Sequence, residues 1–193
     1  MILSGDTIRD LVNSGRLVNT EGTMYDPKKG RDVSAREYVL AHVGADNLDI
    51  RLRSGFKQID TSLVDHLEVG QSYTYKDMNE IEGGGIYLHP GEFCLGTSDE
   101  SLLLPDDVMA MVDSRSSVGR MGLVIQTATF IHAGFKGRIT LELKNESAVP
   151  ILLRPHDVVG QLVFMRLDKH TSDPYNGVYQ GQSATTSPNM AGR

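Results

Sequence analysis

One heptapeptide constrains this chain more than any other feature. From Arg138 to Lys144 the residues alternate, with Ile139, Leu141 and Leu143 facing one way and Arg138, Thr140, Glu142 and Lys144 the other. A period of two puts successive side chains on opposite faces of an extended strand. The strand must lie over a core, so Glu142 emerges between two leucines, on the face of Thr140, in a partly desolvated place. Burial raises a carboxyl pKa and a neighbouring cation lowers it, the tuning that a proton-shuttling acid needs. A solvent-facing Glu paired with a cross-strand Lys or Arg is the plainer reading of the same residues.

The rest of the chain reads as strand-rich with short helices. After Gly55, short apolar runs are separated by Gly, Pro and Asp, with turns at Gly83-Gly-Gly85 and His89-Pro-Gly91. Strands are expected near 92–97, 108–113, 123–131, 137–144 and 159–167. Such spacing predicts a mainly β fold, a distorted barrel or jelly-roll-like sandwich. Ser4 caps an expected helix carrying Ile8, Leu11 and Val12 on one face and ended by Gly15. Ser34-Ala-Arg-Glu37 reads as a capping box opening a second helix through His42, which either contacts a partner or covers the barrel. Residues 1–170 are expected to form a single β domain with the N-terminal helix. The tail 171–193 is rich in Ser, Asn, Gly and Gln, and is either disordered or a lid ordered by ligand.

A second cluster stands in Asp113-Ser-Arg-Ser-Ser-Val-Gly-Arg120, directly after the apolar run Val108–Val112. A buried strand running into such a turn delivers guanidinium forks, hydroxyls and backbone N–H groups to one place. That combination suits several phosphate oxygens at once. A solvated turn with two surface arginines is the bland alternative. Glu142 follows 22 residues after Arg120.

Composition narrows the classes. With 193 residues and 39% hydrophobic content, one domain with a real core is expected. A net charge of −6 argues against a nucleic-acid surface, so any phosphate site is a local basic pocket. No apolar run reaches 18 residues and no signal-peptide pattern appears, so a cytoplasmic protein without membrane contact is expected. Cys94 is the only cysteine and reads as a small core residue. Zinc-dependent nucleobase deaminases need a His or Cys with two further Cys ligands. Nothing of that kind exists here, and the six histidines show no ligand spacing, so no protein-bound metal and no zinc is expected.

Arg115-Ser-Ser-Val-Gly-Arg120, Gly122-Leu123, Thr127-Ala128 and Ala133-Gly-Phe-Lys-Gly-Arg-Ile-Thr-Leu-Glu142 resemble the dCTP deaminases, and the related bifunctional dCTP deaminase/dUTPases, in sequence and order. The opening Met1–Ile8, Tyr87–Phe93, Leu104–Val108, and Tyr175 with Tyr179-Gln-Gly-Gln182 are similar as well, and only residues ~20–60 match poorly. The resemblance implies a dUTPase-like β fold assembled as a homotrimer, with active sites at subunit interfaces. It implies metal-free hydrolytic deamination of a deoxycytidine nucleotide, with Mg²⁺ carried on the triphosphate. In that scheme Glu142 is the acid/base, Arg120 positions the attacking water and Ser116 bridges water and phosphate. Arg115, Ser117, Val118 and Gly119 line the phosphates. Thr127 and Ala128 contact the base, Thr140 and Leu141 offer backbone groups near it, and Tyr175 and Gln182 close the lid.

Three departures accompany the resemblance. His132 stands where the family usually has an Asp that contacts the sugar and, in dUTPase-type enzymes, helps activate water. As a neutral imidazole it offers one donor and one acceptor. The base loop Leu123–Ala128 is one residue shorter and lacks a histidine, which opens room for a substituted cytosine. Val178 replaces a lid lysine, which should weaken triphosphate binding. Loss of the Asp counts against dUTP pyrophosphatase activity more than against deamination. The expectation is therefore a deaminase that leaves the triphosphate intact. The bifunctional enzyme and a non-catalytic nucleotide sensor on the same fold are the alternatives.

Overall fold

The computed structural model describes residues 1–125 and 129–190. The fold is mainly β with few short helices. Ser4 caps the helix Gly5–Asn13 by accepting from the Thr7 N–H at 3.4 Å, and the helix buries Ile8, Leu11 and Val12 as its periodicity requires. The helix Ala35–Leu40 starts at Ser34, whose Oγ accepts from the Glu37 N–H at 3.1 Å. Only half of the expected capping box forms, because the Glu37 carboxylate turns to Lys29 at 2.6 Å. This helix covers the β core: the Arg51 guanidinium lies 3.7 Å from the centroid of the Tyr38 ring.

The larger sheet has six strands. Its path runs Leu123–Ile125, Lys136–Asn145, Phe93–Leu103, Lys57–Ile59, Tyr75–Asp77, and Leu17–Val18 pairs with Phe93–Leu103 off that path. The second sheet orders Phe130–Ile131, Val108–Ser114, Val158–Arg166 and Leu48–Arg51. Both sheets contribute to one apolar core, including Cys94, Leu102, Ala110, Val112, Leu141, Leu143, Leu162 and Phe164. The burial of Cys94 pushes its thiol pKa up to about 12, as befits a core residue. Among the described residues the strands do not close into the expected barrel. Only an isolated Leu52–Ser98 bridge links the two sheets at that seam.

Two expected strands need correction. The run 123–131 is not one strand: Leu123–Ile125 pairs with Lys136–Asn145, whereas Phe130–Ile131 pairs with Met111 and Ala110 in the other sheet. An apolar run carries no mark of a crossing between sheets. The strand expected near 92–97 continues to Leu103 through the polar residues Thr97, Ser98, Asp99 and Glu100, all buried. Their charges and hydroxyls are paired inside the fold, which permits their burial. Glu100 pairs with the Arg51 guanidinium and accepts from the Arg51 N–H at 3.0 Å, and Asp99 meets His156 Nδ1 at 2.6 Å.

Candidate active site

The heptapeptide folds as its pattern dictates. In Lys136–Asn145 the side chains of Ile139, Leu141 and Leu143 are buried, and Arg138, Thr140, Glu142 and Lys144 are half-buried on the other face. Burial holds the Glu142 carboxyl above its usual range, with no opposing cation. Glu142 forms no ion pair among the described residues. Tyr75 shares the neighbourhood: desolvation, and then the charge of Glu142, raise its phenol pKa. Nothing in the sequence around Tyr75 marks it for that place.

Backbone direction makes a second feature of the same strand. In an antiparallel ladder alternate residues turn their N–H and C=O to opposite sides. Ile139 faces the strand Phe93–Leu103, where its N–H and C=O meet Ser98 and Thr97. Leu141 therefore faces the same strand, with its side chain in the core. Arg138, Thr140 and Glu142 face the opposite side. There Leu123–Ile125 pairs with Leu143–Asn145, and Gln182 pairs with Arg138. Among the described residues, the backbone of Thr140 and Glu142 has no ladder partner on that side. Of the two backbone donors expected beside the base, Thr140 faces that side and Leu141 faces the strand Phe93–Leu103. Thr127 and Ala128 lie outside the described residues.

The C-terminal segment is docked on the same strand. Gly181 N donates to Lys136 O at 2.8 Å, Arg138 N to Gln182 O at 2.8 Å, and Gln182 Nε2 to Arg138 O at 2.6 Å. Gln180 accepts from Lys136 N at 2.8 Å and donates to Gly134 O at 3.0 Å. Two glycines make this approach feasible. A Cβ on Gly137 (φ +135°) would stand 2.8 Å from Gln182 O, and one on Gly134 (φ +87°) 2.6 Å from Pro174 Cβ. Beyond Gln182, Thr186 N donates to Thr140 Oγ1 at 3.4 Å, and Thr185 Oγ1 donates to Gly55 O. Tyr175 N donates to Ala133 O at 2.9 Å, and its ring stacks on His132, with centroids 5.9 Å apart and planes within 3°. His132 and Tyr175, with Asp173 and Asn176, line an open cleft of about 520 Å³. Val178 is exposed beside it in sequence.

The serine–arginine cluster forms the short helix Ser116–Gly119, flanked by Arg115 and Arg120. Arg115 is held by Asp49 at 3.4 Å. Ser116, Ser117, Gly119 and Arg120 are exposed and Val118 is half-buried. Neither Arg120 nor Ser116 makes a hydrogen bond or ion pair to Glu142 among the described residues. One chain thus sets Glu142 and Thr140 on the strand face where Gln182 docks at Arg138, and separately brings His132 together with Tyr175, while the loop Arg115–Arg120 makes no hydrogen bond or ion pair with Glu142 among the described residues. Asp106, Asp107 and His170 place ligand atoms within 4.8 Å of one another. Asp107 is met by Arg16 at 3.1 Å, and Asp106 by His170 at 2.7 Å.

Comparison with known proteins was consistent across sequence and fold. The family described as dCTP deaminase-like matches residues 2–167. A "dCTP deaminase, dUMP-forming" of Beutenbergia cavernae is 36% identical over 196 aligned residues, covering 96% of this chain and 93% of its own. The protein of the same name from Persephonella marina is 32% identical, covering 96% and 95%. The crystal structure of 2'-deoxycytidine 5'-triphosphate deaminase from Agrobacterium tumefaciens superposes with a TM-score of 0.59 at 23% identity, a likeness of fold. It covers 84% of this chain, which spans about half (47%) of that longer one. No helix among the described residues is long and apolar enough to cross a membrane.

Proposed function

The chain belongs to the dCTP deaminase-like family, and from that premise we propose that it hydrolyses the 4-amino group of dCTP, with Glu142 as the acid/base. The observation that carries the reading is the half-buried carboxyl of Glu142, held above its usual range by desolvation, on the strand face it shares with Thr140. Water adds to C4 as the Glu142 carboxylate takes one of its protons and passes it to N3 of the ring. The C4–N bond then breaks as Glu142 relays the remaining hydroxyl proton to the amine, which leaves as ammonia while C4 becomes a carbonyl. Arg120 and Ser116 serve this step from a neighbouring subunit of a homotrimer. Their exposure, and the absence of an ion pair to Glu142 among the described residues, support a site shared between subunits. The triphosphate lies on Arg115–Arg120, with Mg²⁺ carried on its oxygens as part of the substrate. The short base loop extends the proposal to 5-substituted dCTP.

A second reading takes the uracil nucleotide on to dUMP. The names of the similar proteins favour it, whereas His132 in place of the expected Asp favours an intact triphosphate. Those names also weigh against a sensor without chemistry. Incubation with dCTP, 5-methyl-dCTP, dCMP and dUTP, with separate assays of ammonia and pyrophosphate, tests all of this. Ammonia from dCTP is expected. Pyrophosphate at a matching rate selects the dUMP-forming reading, and thermal stabilisation by dCTP without ammonia defeats the deaminase.

A further inference from the structure

We infer that Thr97 and Ser98 are positioning residues for this deamination, because they clamp the bulge that decides where Glu142 stands; the inference rests on the deaminase reading above. The ladder between Lys136–Asn145 and Phe93–Leu103 changes register once. Arg138 stands opposite Ser101 but Thr140 stands opposite Thr97, so Ser98, Asp99 and Glu100 face the single residue Ile139. Continued without that change, the first register would set Glu142 opposite Thr97 instead of Leu95. The shift is two residues, about 7 Å along the partner strand. Because it is even, it keeps Glu142 on the same face and moves only its position. The bulge therefore places the carboxyl relative to Tyr75 and the docked tail.

Side chains replace the missing ladder at this point. Ile139 N donates to Ser98 Oγ at 2.9 Å, and Thr97 Oγ1 donates to Ile139 O at 3.0 Å. The Ser98 hydroxyl in turn donates to Glu100 O at 2.7 Å. Arg138 Nη1 covers the remaining bulge carbonyls, Ser98 O at 3.1 Å and Asp99 O. Thr97 and Ser98 are both fully buried, so no water stands ready to replace either hydroxyl. Removing one leaves a buried backbone group of Ile139 unpaired, three residues before Glu142. The strand then gains a reason to slip or bend at that point.

The test measures ammonia release from dCTP by the full chain between pH 5 and 9, for Thr97→Val, Ser98→Ala, Thr97→Ser and Ser98→Thr. A misplaced carboxyl should lower kcat about 10- to 100-fold while KM stays within about twofold. The pH limb set by Glu142 should move as its solvation changes. Thr97→Ser and Ser98→Thr keep a hydroxyl and should recover kcat to within about threefold of wild type. Should Ser98→Ala fail to fold, Thr97→Val, which keeps the side-chain shape, decides. An active wild type with unchanged kcat in Thr97→Val overturns the positioning role, as does equal loss in the hydroxyl-keeping variants. A wild type that releases no ammonia overturns the deaminase reading itself.

Discussion

The strand Lys136–Asn145 and the loop Arg115–Arg120 carry the proposed chemistry between them, yet they are built in opposite ways. Around the strand the chain satisfies itself: leucines fill the core, hydroxyls hold Ile139, and the tail pairs with Lys136 and Arg138. Around the loop it stops short. Arg115 has Asp49, but Arg120, Ser116 and Ser117 stand exposed. A group that costs desolvation is placed where packing fixes it, and charged groups that must grip a ligand are left in solvent until it arrives. The strand's groups are thus met within one chain, and on the reading proposed above the loop is completed by substrate and a second subunit.

Four experiments press on that contrast. The largest effect is expected from Glu142→Gln, which should lower ammonia release about 10²- to 10⁴-fold while dCTP still raises the melting temperature. Retained turnover would take the strand out of the chemistry. Arg120→Ala should cost about 10²-fold in kcat/KM and leave the melting temperature within about 1 °C, since an exposed arginine with no side-chain partner among the described residues holds nothing together. Mixed trimers reassembled from Glu142→Gln and Arg120→Ala chains should regain part of the activity; no recovery would place both groups in one chain's site. Gly137→Ala should come next, with KM raised roughly tenfold and faster proteolysis of the tail, because its Cβ would stand 2.8 Å from Gln182 O.

The smallest effect concerns stability and pH. Burial raises the Glu142 pKa above its unfolded value, so the folded state prefers the neutral acid. The stability tied to that preference is present at low pH and is lost as pH rises through the folded pKa. Glu142→Gln should therefore melt about 1–2 °C higher than wild type near pH 8 and lose that advantage near pH 4. Equal melting temperatures at both pH values would mean that the carboxyl is not desolvated in solution.

Much of this was legible before the fold. Both capped helices start at the serines expected, and the strands near 108–113, 137–144 and 159–167 form with small changes at their ends. The family signal in Arg115–Arg120 and Ala133–Glu142 pointed to the right relatives. Less legible were Ser98–Glu100, which lie beyond the strand expected near 92–97 and form the middle of the longest described strand. Their pairing partners, Arg51 and His156, lie about 50 residues away on either side, and periodicity reports only near neighbours. The tail was left open between disorder and a lid; its described residues lie docked along the strand, because glutamine amides and two glycines give it a backbone edge to pair with.

Alternation alone determined that Glu142 leaves a buried strand on its polar face, since the side-chain period of a strand is a local property of the backbone. Which point on that face it occupies was decided by the bulge opposite Ile139, and which backbone groups are covered, by the tail's docking on Lys136 and Arg138. Those depend on segments that meet only after the chain has folded, and no reading of adjacent residues contains them.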